Sequence, residues 1–356
     1  MSTKKYKRAI LIGRYQPAHN GHFRNFSYAA DLASTVHVLI GSAFQPRTPK
    51  NPFIAEERQM MIASSLREIP NSVLNHYNIL FAPVRDFDYS NNLWIREVQR
   101  IEKELSPNVD DSEIVLLGYE KDNTSWYLRR AFPNWLFIPL DGYVEHGYHP
   151  IDATKIRELY FEGHLDYIKG AVPPSVFDFL KTFSHTSEYG LLVEEYQYVK
   201  KYKKDWEVAP YPPTFFTVDA VVIQGGHILL VKRKFAPGKG LWALPGGFLG
   251  QNETTREAVI RELREETGLK VPEPVLNGSI TFEKLFDKPD RSLRGRTLTQ
   301  AYLVELTGGD SKLPRVRGQD DALVADWFTI DEALKMTDKI FEDHSSIIQT
   351  MIGRSQ

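Results

Sequence analysis

Two sets of side chains in this 356-residue chain have the types and spacing for chemistry on phosphates. The first is Glu262, Glu265 and Glu266, within Gly247 to Leu269, GFLGQNETTREAVIRELREETGL. At roughly 3.6 residues per turn these glutamates fall within about a quarter to a third of a helix circumference. Val259 and Leu263 then point another way, into a core. Three like charges on one face destabilise a helix unless something positive sits among them. Hard divalent cations take carboxylate oxygens, so Mg²⁺ is the natural occupant, with Mn²⁺ as its alternative. For a triple of glutamates taken alone, a solvated acidic face is the competing reading. The second set is His19 and His22 in GRYQPAHNGH, Gly13 to His22. Three residues apart at a helix start, both imidazoles can face one spot and donate hydrogen bonds to phosphate oxygens. Either histidine alone reads equally well as a surface residue.

The elements that must position these groups are legible in outline. A helix opened near Asn252 and closed by Gly268 carries the glutamates. Ala9 to Gly13 (AILIG) reads as a buried strand and Gly21 to Leu32 as a helix. The glycine-containing turn between them aims free backbone N–H groups and a helix dipole at its occupant. Further units repeat the rhythm: strands at Val36–Ile40, Tyr77–Ala82, Glu113–Leu117 and Trp135–Pro139, helices at Ala55–Arg67 and Leu93–Leu105. Such alternation predicts an α/β, Rossmann-like domain with a parallel, doubly wound sheet and ligands at the carboxyl ends of its strands. A helix at Val176–Phe183 ends it. Ser187 to Asp205 is a charged helical segment without a core-like stripe, its lysines a solvated face. Ala209-Pro210-Tyr211-Pro212-Pro213 is a stiff linker. Strands resume at Phe215–Ile223, His227–Lys234, Ser279–Leu285, Thr297–Glu305 and Leu323–Thr329, with closing helices at Asp331–Met336 and Glu342–Ile352. This second half predicts a mixed sheet with the glutamate helix packed on it. The expected domains are 1–185 and 214–356, joined by a connector at 186–213.

The full pattern around the glutamates is Gly247, five residues, Glu253, seven residues, then Arg261-Glu262-Leu263-x-Glu265-Glu266-x-Gly268-Leu269. It resembles the Nudix box at every fixed position, which implies an α/β/α sandwich that hydrolyses a nucleoside diphosphate linked to another group. The resemblance implies Glu262, Glu265 and Glu266 as metal ligands, with Gly247 also at the metal site and Arg261 orienting a glutamate. YPPTFFTVDAVVI, LWALPGGFL and RSLRGRTLTQAYLVEL are similar to the ADP-ribose pyrophosphatase branch. Arg294 and Arg296 either hold the pyrophosphate or terminal ribose phosphate bidentately or are hairpin surface charges. For a general base outside the box, Glu283, Asp320 and Asp321 are candidates.

His19-x-Gly21-His22 behind a first strand resembles the nucleotidyltransferases that move AMP or CMP from a nucleoside triphosphate. A second motif of that superfamily, approximately Ile-Ser-x-Thr-x-Ile-Arg, is matched in IDATKIRELY by Thr154, Ile156 and Arg157, with Asp152 where Ser is usual. GRYQPAHNGH, IGSAFQPRTPKNPFIAEER and DFDYSNNLW are similar to the archaeal-type nicotinamide mononucleotide (NMN) adenylyltransferases. That resemblance implies ATP and phosphate binding by Gly13, Arg14, Tyr15, Gln16, Gly21, Thr154 and Arg157. It implies Arg47, Asn51, Asp86 and Trp94 around the pyridine nucleotide, Arg58 following the loop, and an adenine-side loop at Gly118, Lys121 and Asp122. Trp94 either stacks on the nicotinamide ring or is a core residue of an amphipathic helix. The charge for phosphoryl transfer would come from His19, His22, Arg157 and Lys or Arg side chains. His37, inside an apolar strand, reads as a satisfied core histidine.

Composition narrows the class. Apolar residues make up 42% of the chain, enough for two sizeable cores. No cysteine is present, so thiolate chemistry, disulfides and Cys-type zinc sites are excluded. The start MSTKKYKRAILIG lacks a signal-peptide pattern and no apolar run approaches a membrane span, so a cytoplasmic location without membrane partners is expected. A net charge of −2 gives no general drive toward nucleic acid. The two resemblances imply small-molecule partners: ATP, NMN, NAD and ADP-ribose. Homo-oligomerisation is left open. The expected enzyme is bifunctional, making NAD from NMN and ATP and cleaving ADP-ribose to AMP and ribose 5-phosphate. Competing readings are another phosphate acceptor for the first half (nicotinate mononucleotide or phosphopantetheine) and another nucleotide for the second (NADH, a dinucleoside polyphosphate or an oxidised nucleotide). A ligand-sensing module is a further alternative. The intact box and the short tail after Asp331 favour an enzyme.

Overall fold

The computed structural model describes residues 4–68, 78–120, 125–140, 152–307 and 312–353. They fall into two compact units that divide after Val193. The first runs β1 (Tyr6–Gly13), α1 (Asn20–Leu32), β2 (Ala33–Ala43), α2 (Ala55–Glu68), β3 (Asn78–Arg85), α3 (Asn91–Leu105), β4 (Ile114–Gly118), α4 (Tyr127–Arg130), β5 (Leu136–Pro139), α5 (Ala153–Phe161) and α6 (Pro174–Phe183). Its five strands are all parallel, in the order β3-β2-β1-β4-β5. Continuous apolar runs such as AILI, VLI and IVLL suit strands covered on both faces. Ile10, Leu39, Ile114 and Leu116 are all fully buried there. Strand order reverses at β1, which pairs with β2 on one side and β4 on the other, so the crevice lies at its carboxyl end. Toward the amino end of β1, Arg8 makes a fully buried ion pair with Glu102. His37 is buried with its Nε2 3.3 Å from the Ser106 hydroxyl.

Helix α7 (Ser187–Asp205) runs across the division. It has more anchoring than its charged sequence suggested. Leu192 is buried, and the Tyr189 hydroxyl donates to the Tyr160 carbonyl at 2.8 Å. Further along, the Glu195 carboxylate accepts the Gly238 N–H at 3.0 Å. The rings of Tyr202 and Trp206 meet Phe215 at 5.5 and 5.2 Å. Aromatic and single polar contacts hold this helix, and a hydrophobic-stripe search does not detect them.

The second unit continues with β6 (Thr214–Gln224), β7 (His227–Arg233), β8 (Trp242–Ala243), β9 (Gly246–Phe248), α8 (Thr255–Thr267), α9 (Glu273–Gly278), β10 (Ile280–Phe286), β11 (Arg296–Glu305), β12 (Ala322–Thr329), α10 (Ile330–Lys335) and α11 (His344–Ile352). Its sheet has the order β10-β11-β6-β7-β12, with β8 on β7 and β9 on β6. It is mixed: β11 runs parallel to β6 and the other pairs are antiparallel. Ala258, Val259, Ile260 and Leu263 of α8 pack into the core formed by Val218, Ala220, Val222 and Leu229. The cap of α8 is Thr254, not Asn252. Thr254 Oγ1 accepts the Glu257 N–H, and the Glu257 carboxylate accepts the Thr254 N–H at 2.8 Å. The helix starts late because Glu253 is committed elsewhere, to the Gly250 N–H and to Arg261. Gly268 ends the helix in the left-handed conformation, φ 60°, as its position suggested. Among the described residues no helix is long and apolar enough to cross a membrane.

Candidate active sites

The turn after β1 is held by its own side chains. Tyr15 adopts φ 52° and is buried, its ring lying 4.9 Å from His22 and 5.6 Å from Phe26. A Cβ on Gly13 would meet that ring at 2.7 Å, so glycine is needed for the turn to fold over the strand end. Gln16 is buried and binds the Phe53 backbone with both halves of its amide, at 2.8 and 3.0 Å. Arg58 bonds the carbonyls of Arg14, Gly41 and Ser42, tying the turn to the end of β2. Tyr15 and Gln16, expected from the resemblance as phosphate-binding residues, thus have their side chains engaged in building the cradle. Gly21 is buried in the first turn of α1, and Arg14 is exposed.

His19 caps α1 and stacks against His22, ring centroids 3.8 Å apart. The His19 N–H donates to His22 Nδ1 at 3.1 Å. His19 Nδ1 is buried without a hydrogen-bond partner. Burial lowers the His19 imidazole to about 4 against the opposing pull of Asp152. Burial, reinforced by His19, holds His22 well below the usual range. Burial thus works against the positive charge expected of both histidines and favours their neutral forms. Arg157 supplies the cation. It is 8% exposed, donates to the Gln16 carbonyl at 2.7 Å and to Thr154 Oγ1 at 3.2 Å, and burial lowers it only to about 10. Asp152 caps α5 by accepting the Thr154 N–H at 2.8 Å. Serine and aspartate are comparable caps, which explains aspartate at this position.

The expected pyridine-nucleotide residues divide. Asn51 Oδ1 is buried without a hydrogen-bond partner, so it has an acceptor to offer. Arg47 is held bidentately by Glu57 at 2.6 and 2.7 Å and also donates to the Pro52 carbonyl. Its guanidinium lies over Phe183. Trp94 is half-buried among Tyr127 and Phe132, with ring centroids 5.2 and 6.1 Å away. These contacts are those of a residue at a core edge. Asp86, just past β3, is half-buried and interacts with Arg58. Gly118 ends β4 where a Cβ would strike Leu128 at 2.4 Å. Lys121 and Asp122 lie outside the described residues.

In the second unit, α8 presents its glutamates at different depths. Glu266 is 6% exposed and its carboxylate accepts the Gly246 N–H at 2.9 Å. Its carboxyl is raised to about 8, chiefly by burial, with the Gly246 hydrogen bond opposing and the neighbouring Glu262 assisting the shift. Glu262 is likewise raised by burial, against the pull of Arg261. Glu265 is more exposed, at 47%. Arg261 joins the set: it grips Glu253 bidentately at 2.9 and 2.6 Å and reaches Glu262 at 2.8 Å and Glu265 at 2.9 Å. Among the described residues no three His, Asp or Glu side chains converge on a single cation position. The guanidinium neutralises the outer carboxylates, while Glu266 turns to the β9 backbone. Gly247 lies directly against Glu262, where a Cβ would come within 2.5 Å of its Oε1.

Arg294 lies with its guanidinium over the Phe248 ring at 5.1 Å. Its loop is held by Glu342, whose carboxylate accepts the Leu293 N–H at 3.3 Å. Glu342 itself adopts φ 44°, and burial raises its carboxyl. Sequence reasoning missed it, as it missed Arg233, whose charge faces both Glu342 and Glu266. No local pattern marks either one, since only the packing of α11 against the sheet brings them there. Arg296 opens β11 and donates to the Asp287 carbonyl. Of the suggested bases, Glu283 is exposed on β10, and Asp320 and Asp321 are exposed before β12.

Comparison with known proteins agrees with this division. Residues 10–132 match the cytidylyltransferase-like family model and residues 213–351 the NUDIX domain model. Over 193 residues the chain is 32% identical to the nicotinamide/nicotinic acid mononucleotide adenylyltransferase of Acinetobacter baylyi, covering 54% of this chain and 95% of that one. Over 132 residues it is 37% identical to the ADP-ribose pyrophosphatase of Methanocaldococcus jannaschii, covering 37% of this chain and 69% of that one. A crystal structure of a bifunctional NMN adenylyltransferase/ADP ribose pyrophosphatase from Francisella tularensis, complexed with AMP and a Mn ion, aligns with a TM-score of 0.88. Identity to it is 36%, over 99% of this chain and 100% of that one. A parallel-sheet unit bearing paired imidazoles and a mixed-sheet unit bearing the box glutamates thus occur in one order along one chain, which belongs to the family of bifunctional NMN adenylyltransferase/ADP-ribose pyrophosphatases.

Proposed function

We propose that the first unit transfers AMP from ATP to NMN, giving NAD and pyrophosphate, and that the second hydrolyses ADP-ribose to AMP and ribose 5-phosphate. In the first reaction an oxygen of the NMN 5′-phosphate bonds to the α-phosphorus of ATP as the bond to the bridging oxygen breaks. No protein nucleophile is needed, only alignment and compensation of negative charge. The observation that carries this reading is the half-buried His19–His22 pair at the mouth of α1, with the Nδ1 of His19 unpartnered and Arg157 anchored on the Gln16 carbonyl of the same turn. Neutral imidazoles donate hydrogen bonds to phosphate oxygens, and Arg157 adds a fixed charge anchored through the Gln16 carbonyl. Asn51 Oδ1 offers an acceptor to the second nucleotide.

In the second unit Glu262, Glu265 and Glu266 would hold one or more divalent cations. The donor set fits: the oxygens are hard, Glu266 is largely desolvated, and the missing Cβ of Gly247 leaves space at Glu262. Bound there, a divalent cation lowers the pKa of water and compensates charge on the diphosphate. Arg261 holds Glu253, Glu262 and Glu265 in one array, and Arg294, over the Phe248 ring next to Gly247, carries a guanidinium suited to phosphate. The water oxygen bonds to one phosphorus of ADP-ribose, and the bond from that phosphorus to the bridging oxygen breaks.

Product analysis tests both halves. ATP with NMN, nicotinate mononucleotide or phosphopantetheine, followed by pyrophosphate release, should show NMN as the preferred acceptor. ADP-ribose with Mg²⁺ or Mn²⁺ should yield AMP and ribose 5-phosphate. Preference for NADH or a dinucleoside polyphosphate would overturn the second assignment.

A further inference from the structure

A cavity of about 400 Å³ lies within the second unit, between the end of the connector and the start of β11. Its apolar wall is Trp206, Tyr211 and Phe215, and its cationic wall is Lys203, Arg294 and Arg296. The volume falls within the range of small-molecule sites. We infer that this cavity binds the adenine base of the nucleoside diphosphate substrate, with Trp206 and Tyr211 as its stacking faces, so that the connector completes the hydrolase site.

Three observations carry this. Trp206 is 44% exposed and Tyr211 81% exposed, so large aromatic faces stand open beside the cavity although both residues belong to a linker-like stretch. Trp206 is fixed edge-on to Phe215, centroids 5.2 Å apart at 71°, which holds its ring in place without covering both faces. A short relay of contacts also links the cavity wall to the glutamate array. Phe215 meets Phe248 at 6.1 Å, Arg294 covers Phe248 at 5.1 Å, and the neighbouring Gly247 touches Glu262. A ligand with its base on the aromatic wall would carry its diphosphate past Arg294 toward the carboxylates. That order, flat heterocycle, then anion, then scissile bond, is the order of groups in ADP-ribose read from its adenosine end. Proline at positions 210, 212 and 213 stiffens the wall and limits the entropy lost on binding.

This inference rests on the ADP-ribose reading, and the experiment keeps the two apart. Full-length wild type, Trp206→Ala, Trp206→Phe and Tyr211→Ala are assayed for ADP-ribose hydrolysis and for inhibition by AMP and by ribose 5-phosphate. Trp206→Ala should raise KM and the AMP inhibition constant about tenfold, with kcat changed less than about threefold, as expected for loss of one stacking face. Ribose 5-phosphate inhibition should stay constant, and Trp206→Phe should recover most of the loss. NAD synthesis by the same preparations reports an intact chain. Should Trp206→Ala fold poorly, Tyr211→Ala, on a side chain outside any core, gives the same readout. Unchanged KM and AMP inhibition in both alanine variants would overturn the assignment, as would a shift in ribose 5-phosphate inhibition in place of AMP inhibition. If wild type does not cleave ADP-ribose, the parent reading fails instead.

Discussion

The Gln16 amide and the Phe53 backbone form a closed two-bond pair: Nε2 donates to the carbonyl at 2.8 Å and Oε1 accepts the N–H at 3.0 Å. This joins the turn that carries His19 to the loop that carries Asn51, so the two nucleotide subsites proposed for the first unit share one brace. Gln16→Ala should leave two backbone groups unpaired and destabilise that unit by about 2–4 kcal/mol. Urea unfolding followed on the first unit should show the loss, with NAD synthesis falling and ADP-ribose hydrolysis retained.

His19→Ala should reduce NAD synthesis at least about 100-fold, the usual scale for one donor to a phosphoryl or oxyanion group. ADP-ribose hydrolysis in the same variant should be unchanged, and loss of both activities together would refute independent sites. Because burial already holds His19 near 4, the pH–rate profile of the wild type should show no inflection from it near the ordinary imidazole value of 6.5.

Gly247→Ala places a methyl group 2.5 Å from the Glu262 carboxylate. Backbone cannot yield there easily, since Gly247 pairs with Val218 of β6. Glu262 should therefore be displaced, lowering hydrolysis on the order of 10- to 100-fold with metal affinity weakened in parallel. Calorimetric titration with Mn²⁺ beside the activity assay checks this.

Glu266→Gln removes the most buried carboxylate of the array and should abolish hydrolysis. Its amide still accepts the Gly246 N–H, so the metal-free fold should persist, as circular dichroism would report. Turnover in this variant would eliminate the carboxylate-metal argument.

His37 gives a pH dependence with a defined sign. Burial, and secondly Arg8, lower it from 6.5 to about 4 in the folded chain. The unfolded chain therefore binds more protons between those values, and stability rises with pH across that window. The contribution is fully present above about 6.5 and is lost as pH falls toward 4, up to about 3 kcal/mol. In His37→Leu the acid limb of the first unit's stability curve should be shallower by up to one proton.

What the sequence by itself determined is what local pattern encodes. Apolar runs and turn residues located the longer strands and helices, because burial on one or two faces imposes a short-range period; the short α4, β8, β9 and α9 carry too few residues to show one. The box glutamates lie on one helix because their spacing matches its turn, and Gly268 stops that helix because its φ is positive. Where a neighbour competed, the local reading slipped: Glu253 goes to Arg261, so the cap moved from Asn252 to Thr254. Tertiary structure decided what depends on distance in space and on exclusion of water. It shifted His19 and His22 toward their neutral forms, tied Gln16 and Arg47 into the scaffold, and raised Glu266 to about 8. It also set Arg233 near Glu266 and Glu342 near Arg294, and placed Trp206 and Tyr211 in one cavity wall with Arg294. None of these could be read from spacing, because desolvation and pairing arise only when segments remote in sequence pack together.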